Sequence, residues 1–143
     1  MTSTPQDFQA LWHLPSDQKV TVVSPTAAVA QKPGDRTKTL LLQIPYQQKL
    51  PSSGALTVKQ GQTDPVQGWH YDNIFTREPA PAVSFNRTGT ATTILSVIAP
   101  VSSTANVSYT TRWSKDTYAV TFTIAGRKTT IGITPGGAIY RVR

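Results

Sequence analysis

The sequence contains no cysteine. Disulfide frameworks, thiolate zinc sites and cysteine nucleophiles are therefore excluded. Glu78 is its only glutamate and Met1 its only methionine. Residues that favour helices are scarce, whereas Thr and Val are abundant, and that balance favours strands. Acidic residues are few: seven Asp and Glu stand against 14 Lys and Arg, for a net charge of +7. Long apolar runs are missing as well. No stretch approaches the roughly 18 residues needed to cross a membrane, so no membrane partner is expected. The opening residues MTSTPQDFQALWHLP lack a basic start followed by an apolar block, so no signal peptide is expected in this chain. The start reads as if cut from something longer.

What remains is a chain of 143 residues, 38% hydrophobic and 15% charged. That length suits one domain with its own core, and the composition is neither disordered nor fibrous. The clearest strand is Thr117 to Ala125. Tyr118, Val120, Phe122 and Ile124 alternate with Ala119, Thr121 and Thr123, a period of two with one buried face. Gly126-Arg127 suits a Gly-X type II′ turn, followed by a return strand from Lys128 to Ile133 and a last strand from Ala138 to Val142. Upstream, short strands are expected at Lys19 to Val23, Thr39 to Ile44, Leu56 to Gln60, Ala82 to Arg87, Thr92 to Ile98 and Asn106 to Arg112. Turn clusters such as KPGDR, PSSG, EPAP and APVSS separate them. About nine short strands without a helix predict a single all-β domain, an antiparallel β-sandwich spanning residues 1–143. From Gly61 to Pro81 the periodicity is weak. A connection of that length in a compact domain is often functional.

That connection carries PVQGWHYDNIF, which concentrates Trp69, His70, Tyr71 and Phe75. His13 and His70 lie far apart, with no H-x-H or H-E-x-x-H spacing, so no metal site is expected. Asp64, Asp72 and Glu78 share the segment, but nothing in their spacing marks a catalytic pair, and they read as solvated turn carboxylates. No G-x-S-x-G elbow is present. No Gly-rich loop opens a helix, so no phosphate cradle is expected. No catalytic residue and no cofactor is assigned. Binding chemistry fits better. Sugar rings stack on Trp and Tyr, and anionic groups pair with Arg, so Trp69, His70, Tyr71 and Arg77 are the candidate ligand-binding residues. The basic charge, with a pI of about 10.0, favours an anionic partner. The positive residues are dispersed, and even Arg127-Lys128 and Arg141-Val142-Arg143 fall short of a nucleic-acid run, so an acidic polysaccharide is preferred to nucleic acid.

Several of these stretches occur in the order found in a known family. LWHLPSDQKVTV, TLLLQIP, GQTDPVQGWHYDNIFTREPAPAVSF and TATTILSVIAPV resemble segments of the C-terminal β-sandwich of heparinase II/III-like polysaccharide lyases. The resemblance covers roughly Phe8 to Val101. Its most specific parts are Trp12-His13-Leu14-Pro15 and Gln67-Gly68-Trp69, so Trp12, His13, Gln67 and Gly68 are structural-motif residues. The family cleaves acidic, uronate-containing polysaccharides by β-elimination. Its catalytic machinery lies mostly on a helical toroid, and one catalytic His and any metal ligands lie in the earlier part of the sandwich. The resemblance thus implies an accessory module, non-catalytic by itself, packing on a toroid of the parent lyase in the bacterial cell envelope or outside the cell. An autonomous carbohydrate-binding module for acidic glycans is the alternative. A sandwich lacking its first strands would expose sheet edges, so a homodimer or strand exchange is also expected.

Overall fold

A computed structural model describes residues 4–46, 55–90, 92–102 and 105–142. The expected turn at 51–54 and the terminal Arg143 lie outside them. The chain is all-β, every strand pairing is antiparallel, and there is no helix among the described residues. It divides into two compact units, Met1–Ser103 and Thr104–Arg143.

The first unit contains β1 (Gln6–His13), β2 (Lys19–Ser24), β3 (Ala27–Gln31), β4 (Thr37–Ile44), β5 (Leu56–Lys59), β6 (Gln62–Thr63), β7 (Val66–Gln67), β8 (Trp69–Tyr71), β9 (Arg77–Pro79), β10 (Ala82–Gly89) and β11 (Leu95–Ser102). One sheet has the order β1-β10-β5 and a second the order β11-β4-β3-β2. Their facing residues make one core. Ala28, Ala30 and Leu41 from the second sheet join Leu56, Val83 and Phe85 from the first, with Ala10, Trp12, Val20 and Val58 packed around them. Phe85 and Leu41 are fully buried, each contributing about 1.5–3 kcal/mol by leaving water. Two antiparallel sheets over one core give this unit the sandwich-like all-β architecture that the series of short strands between turn clusters predicts.

Among the described residues all nine expected strands are present, and six more accompany them. In β1, Ala10 and Trp12 point to the core opposite Phe85 and Val83. The apolar Leu11 between them hides the alternation in the sequence. In β3, AAVAQ has low strand propensity, and it is an interior strand because β2 and β4 pair with it on both sides. Neighbours, not propensity, decide such a strand. β11 also runs past the expected end at Ile98, through Pro100 to Ser102. It lies at the sheet edge, where a residue without an N–H costs the ladder least.

The second unit is a meander of β12 (Val107–Ser114), β13 (Thr117–Ile124), β14 (Arg127–Ile133) and β15 (Ile139–Val142). Tyr118, Val120 and Phe122 are buried in alternation along β13. The β13–β14 turn differs from the expected one by one residue. Its central residues are Ala125 and Gly126, at φ 48° and 80°, the two positive values of a type I′ turn. The resulting register pairs Tyr118 with Ile133. A turn centred on Gly126-Arg127 would instead draw Pro135, which has no N–H, into the ladder opposite Tyr118.

Candidate functional site

β5 and β10 are paired neighbours, with Lys59 opposite Ala82. Everything from Gln60 to Pro81 is an excursion between them, built from two short ribbons, β6–β7 and β8–β9. Gly68 pins its base. The Gly68 carbonyl accepts from the Gly61 N–H at 2.7 Å and from the Ala80 N–H at 2.9 Å. The residue has φ 75°, and a β-carbon there would stand 2.5 Å from the Lys59 carbonyl oxygen and 2.6 Å from Gln60 Cα. Only glycine meets both demands. Gln67 pairs with Gln62 across the first ribbon, whose turn contains a cis Asp64–Pro65 peptide bond.

Trp69 follows directly. Its indole N–H donates to the Gln62 carbonyl at 2.8 Å, which ties the second ribbon to the first. Register then sorts the remaining residues. Trp69 faces Pro79, His70 faces Glu78 and Tyr71 faces Arg77. Side chains alternate along a strand, so Trp69, Tyr71 and Arg77 share one face of the ribbon, while His70 and Glu78 share the other. The four candidate ligand-binding residues are thereby divided three to one.

On the first face the Arg77 guanidinium carbon sits 4.3 Å from the Trp69 ring centroid. This is a diagonal cross-strand pair within cation–π range. The arginine covers the indole, so the ring open to solvent is that of Tyr71, 54% exposed. At the tip, Asn73 Oδ1 accepts from the Phe75 and Thr76 amides at 2.8 and 3.0 Å. This local turn leaves Ile74 and Phe75 almost wholly exposed.

On the second face, His70 Nε2 lies 3.1 Å from Asp72 Oδ1. The Glu78 carboxylate joins them, and one donor atom from each of the three lies within 4.8 Å of the others. Ser16 Oγ donates to Glu78 Oε1. Beside this cluster is an open recess of about 470 Å³ lined by His13, Leu14, Pro15, Ser16, Asp17 and His70. Both histidines of the chain thus border one cavity. The Leu14 N–H donates to the Pro81 carbonyl at 2.9 Å, holding the segment after β1 against the exit of the excursion. Asp17 also pairs with Lys32 at 3.0 Å, and that partner holds the lysine pKa above its ordinary value.

Linear spacing does not reveal this second face. His70 and Glu78 are eight positions apart, a gap typical of no ligand motif, and they meet because a hairpin turns between them. Ser16 and Asp17 come from another part of the chain. Trp12 is elsewhere, packed against the sandwich core. Asp64 sits in the β6–β7 turn, where its carbonyl accepts from the Gln62 side chain at 2.7 Å. Comparison with protein-family models, with curated proteins and with solved structures found no match to this chain.

Proposed function

We propose that this chain is an accessory β-sandwich module of a heparinase II/III-like lyase, non-catalytic by itself, that contacts acidic, uronate-containing polysaccharide. The single observation that carries the binding part is the cationic face of the β8–β9 ribbon, with Arg77 held over Trp69 and Tyr71 exposed beside it. Trp69 is the pedestal on this reading. It fixes the guanidinium, which pairs with a uronate carboxylate in a two-pronged contact, while the Tyr71 ring offers a stacking surface to the sugar. The net charge of +7 draws an anionic polymer towards this face. The lyase context is supported by the ordered motif series from Phe8 to Val101. A helical toroid domain is the partner that series implies, and the location is then extracellular or in the cell envelope.

The test is affinity electrophoresis on gels containing heparin-like, alginate-like or uncharged polysaccharide. Retardation is expected on the uronate polymers. Arg77→Ala should weaken it about tenfold, the size of one lost charge-assisted contact, and Tyr71→Ala should weaken it less. Salt near 0.3 M should weaken it further, because a shorter Debye length screens exposed charges. Tight binding to an uncharged glycan at high salt would contradict the reading. So would a rise in ultraviolet absorbance from unsaturated uronate when this chain alone is mixed with polymer.

Self-association through sheet edges belongs to the same proposal. β15 ends its sheet with all four residues exposed, and β2 ends another with Val22 and Val23 more than half exposed. Edges of this kind template pairing with another chain. A light-scattering mass of one chain at high concentration would rule it out.

A further inference from the structure

We propose that the His70 face of the β8–β9 ribbon is a divalent-metal site of the zinc type, with His70, Asp72 and Glu78 as ligands. Cross-strand register places His70 opposite Glu78, and Asp72 reaches His70 from the same side at 3.1 Å. Two donors that each stand about 2.1 Å from a common ion are roughly 3–4 Å apart. The three donor atoms already lie within 4.8 Å of one another, so small side-chain rotations close them on one ion.

Three further features favour metal binding over a plain solvated cluster. The donor set is one imidazole nitrogen and two carboxylates, a borderline mixture that suits zinc-type ions, whereas calcium prefers six to eight oxygens. Ser16 Oγ donates to Glu78 Oε1, the kind of outer contact that orients a ligating carboxylate. The recess lined by His13, Asp17 and His70 opens beside the cluster, leaving room for water or an anionic group to complete the coordination. All three ligands are exposed, so an ion reaches them directly. Once bound, it would clamp the two strands of the ribbon below its 72–76 turn. The site uses the face opposite Tyr71 and Arg77, and it stands whether or not those residues bind glycan.

The test is calorimetric titration of the tag-free full chain with Zn2+, repeated with Ca2+ and Mg2+. One equivalent of Zn2+ should bind saturably, and Ca2+ and Mg2+ should bind far more weakly. His70→Ala and Glu78→Gln should each weaken Zn2+ binding by about tenfold or more, and Ser16→Ala by less. The affected side chains are on the surface, so the circular dichroism of each variant should match that of the parent. At one fixed Zn2+ concentration the Tm of the parent should rise by more than that of His70→Ala. In NMR spectra the His70 ring signals should shift at substoichiometric Zn2+. No saturable binding, unchanged affinity in His70→Ala, or Ca2+ binding as tight as Zn2+ would each overturn the proposal.

Discussion

The β13–β14 hairpin and the β8–β9 ribbon are both pairs of antiparallel strands, yet opposite means hold them. The hairpin has seven consecutive cross-strand pairs and a two-residue turn. Its glycines face open space or yielding neighbours. A β-carbon at Gly126 would meet nothing, and one at Gly132 would meet the far end of the Tyr140 ring at 2.6 Å. The ribbon has three pairs, too few to stand alone in water. It persists because Gly68 and Trp69 bolt its base to backbone elsewhere, and the atoms that would oppose a β-carbon at Gly68 are themselves backbone. Local pairing makes the hairpin, whereas tertiary anchoring makes the ribbon. Substitutions should therefore be costly at the ribbon's base and mild in the hairpin.

The largest effect is expected at Gly68→Ala. A positive φ costs a non-glycine residue about 1–2 kcal/mol, and overpacking against backbone adds about 1–3 kcal/mol. Hydrogen exchange at the Gly61 and Ala80 amides should accelerate sharply, because both donate to the Gly68 carbonyl. Unchanged protection there would break the comparison. Trp69→Phe comes next, at about 1–2 kcal/mol, since it deletes the donor to Gln62 and weakens the stack with Arg77. Near-ultraviolet circular dichroism and urea unfolding would register both.

In the hairpin the effects shrink or change sign. Ala125 has φ 48° before Gly126, and Ala125→Asn creates the Asn-Gly pair that type I′ turns favour. A gain of up to about 1 kcal/mol is expected, visible as a higher Tm, and any loss of stability would argue against that turn. Gly132→Ala should cost about 0.5 kcal/mol. The exposed Tyr140 ring swings aside, and its hydroxyl contact with Thr117 at 3.0 Å is exchanged for water. A cost as large as that of Gly68→Ala would erase the distinction between yielding and unyielding neighbours.

The smallest effect is alkaline. Burial, and then the neighbouring Tyr118, hold the Tyr109 phenol above its ordinary 10.0. A raised acid favours the protonated fold, so this contribution is complete below pH 10 and fades as pH rises through the folded-state value. Tyr109→Phe should flatten the dependence of Tm on pH above 10.

The same division explains what could be read in advance. The meander was legible because TYAVTFTI alternates without interruption, and a period of two leaves one face to bury. The sandwich strands were legible as short runs between turn clusters, although β4 and β10 are buried at consecutive positions rather than in alternation. AAVAQ and QDFQALWH escaped, because their burial is set by the strands beside them. In the excursion, Trp69 and Gly68 could be singled out by residue type. Their partners could not, because Lys59, Gln60 and Gln62 act there through backbone atoms, which every residue carries. Composition and periodicity by themselves determined an all-β chain with a basic surface and an aromatic, polar connection between two strands. Only the tertiary structure decided that Trp69, Tyr71 and Arg77 face one way and that His70, Asp72 and Glu78 face the other. The reason is physical: facing depends on register, and register here is set by the contacts at Gly68 rather than by the residues that it sorts.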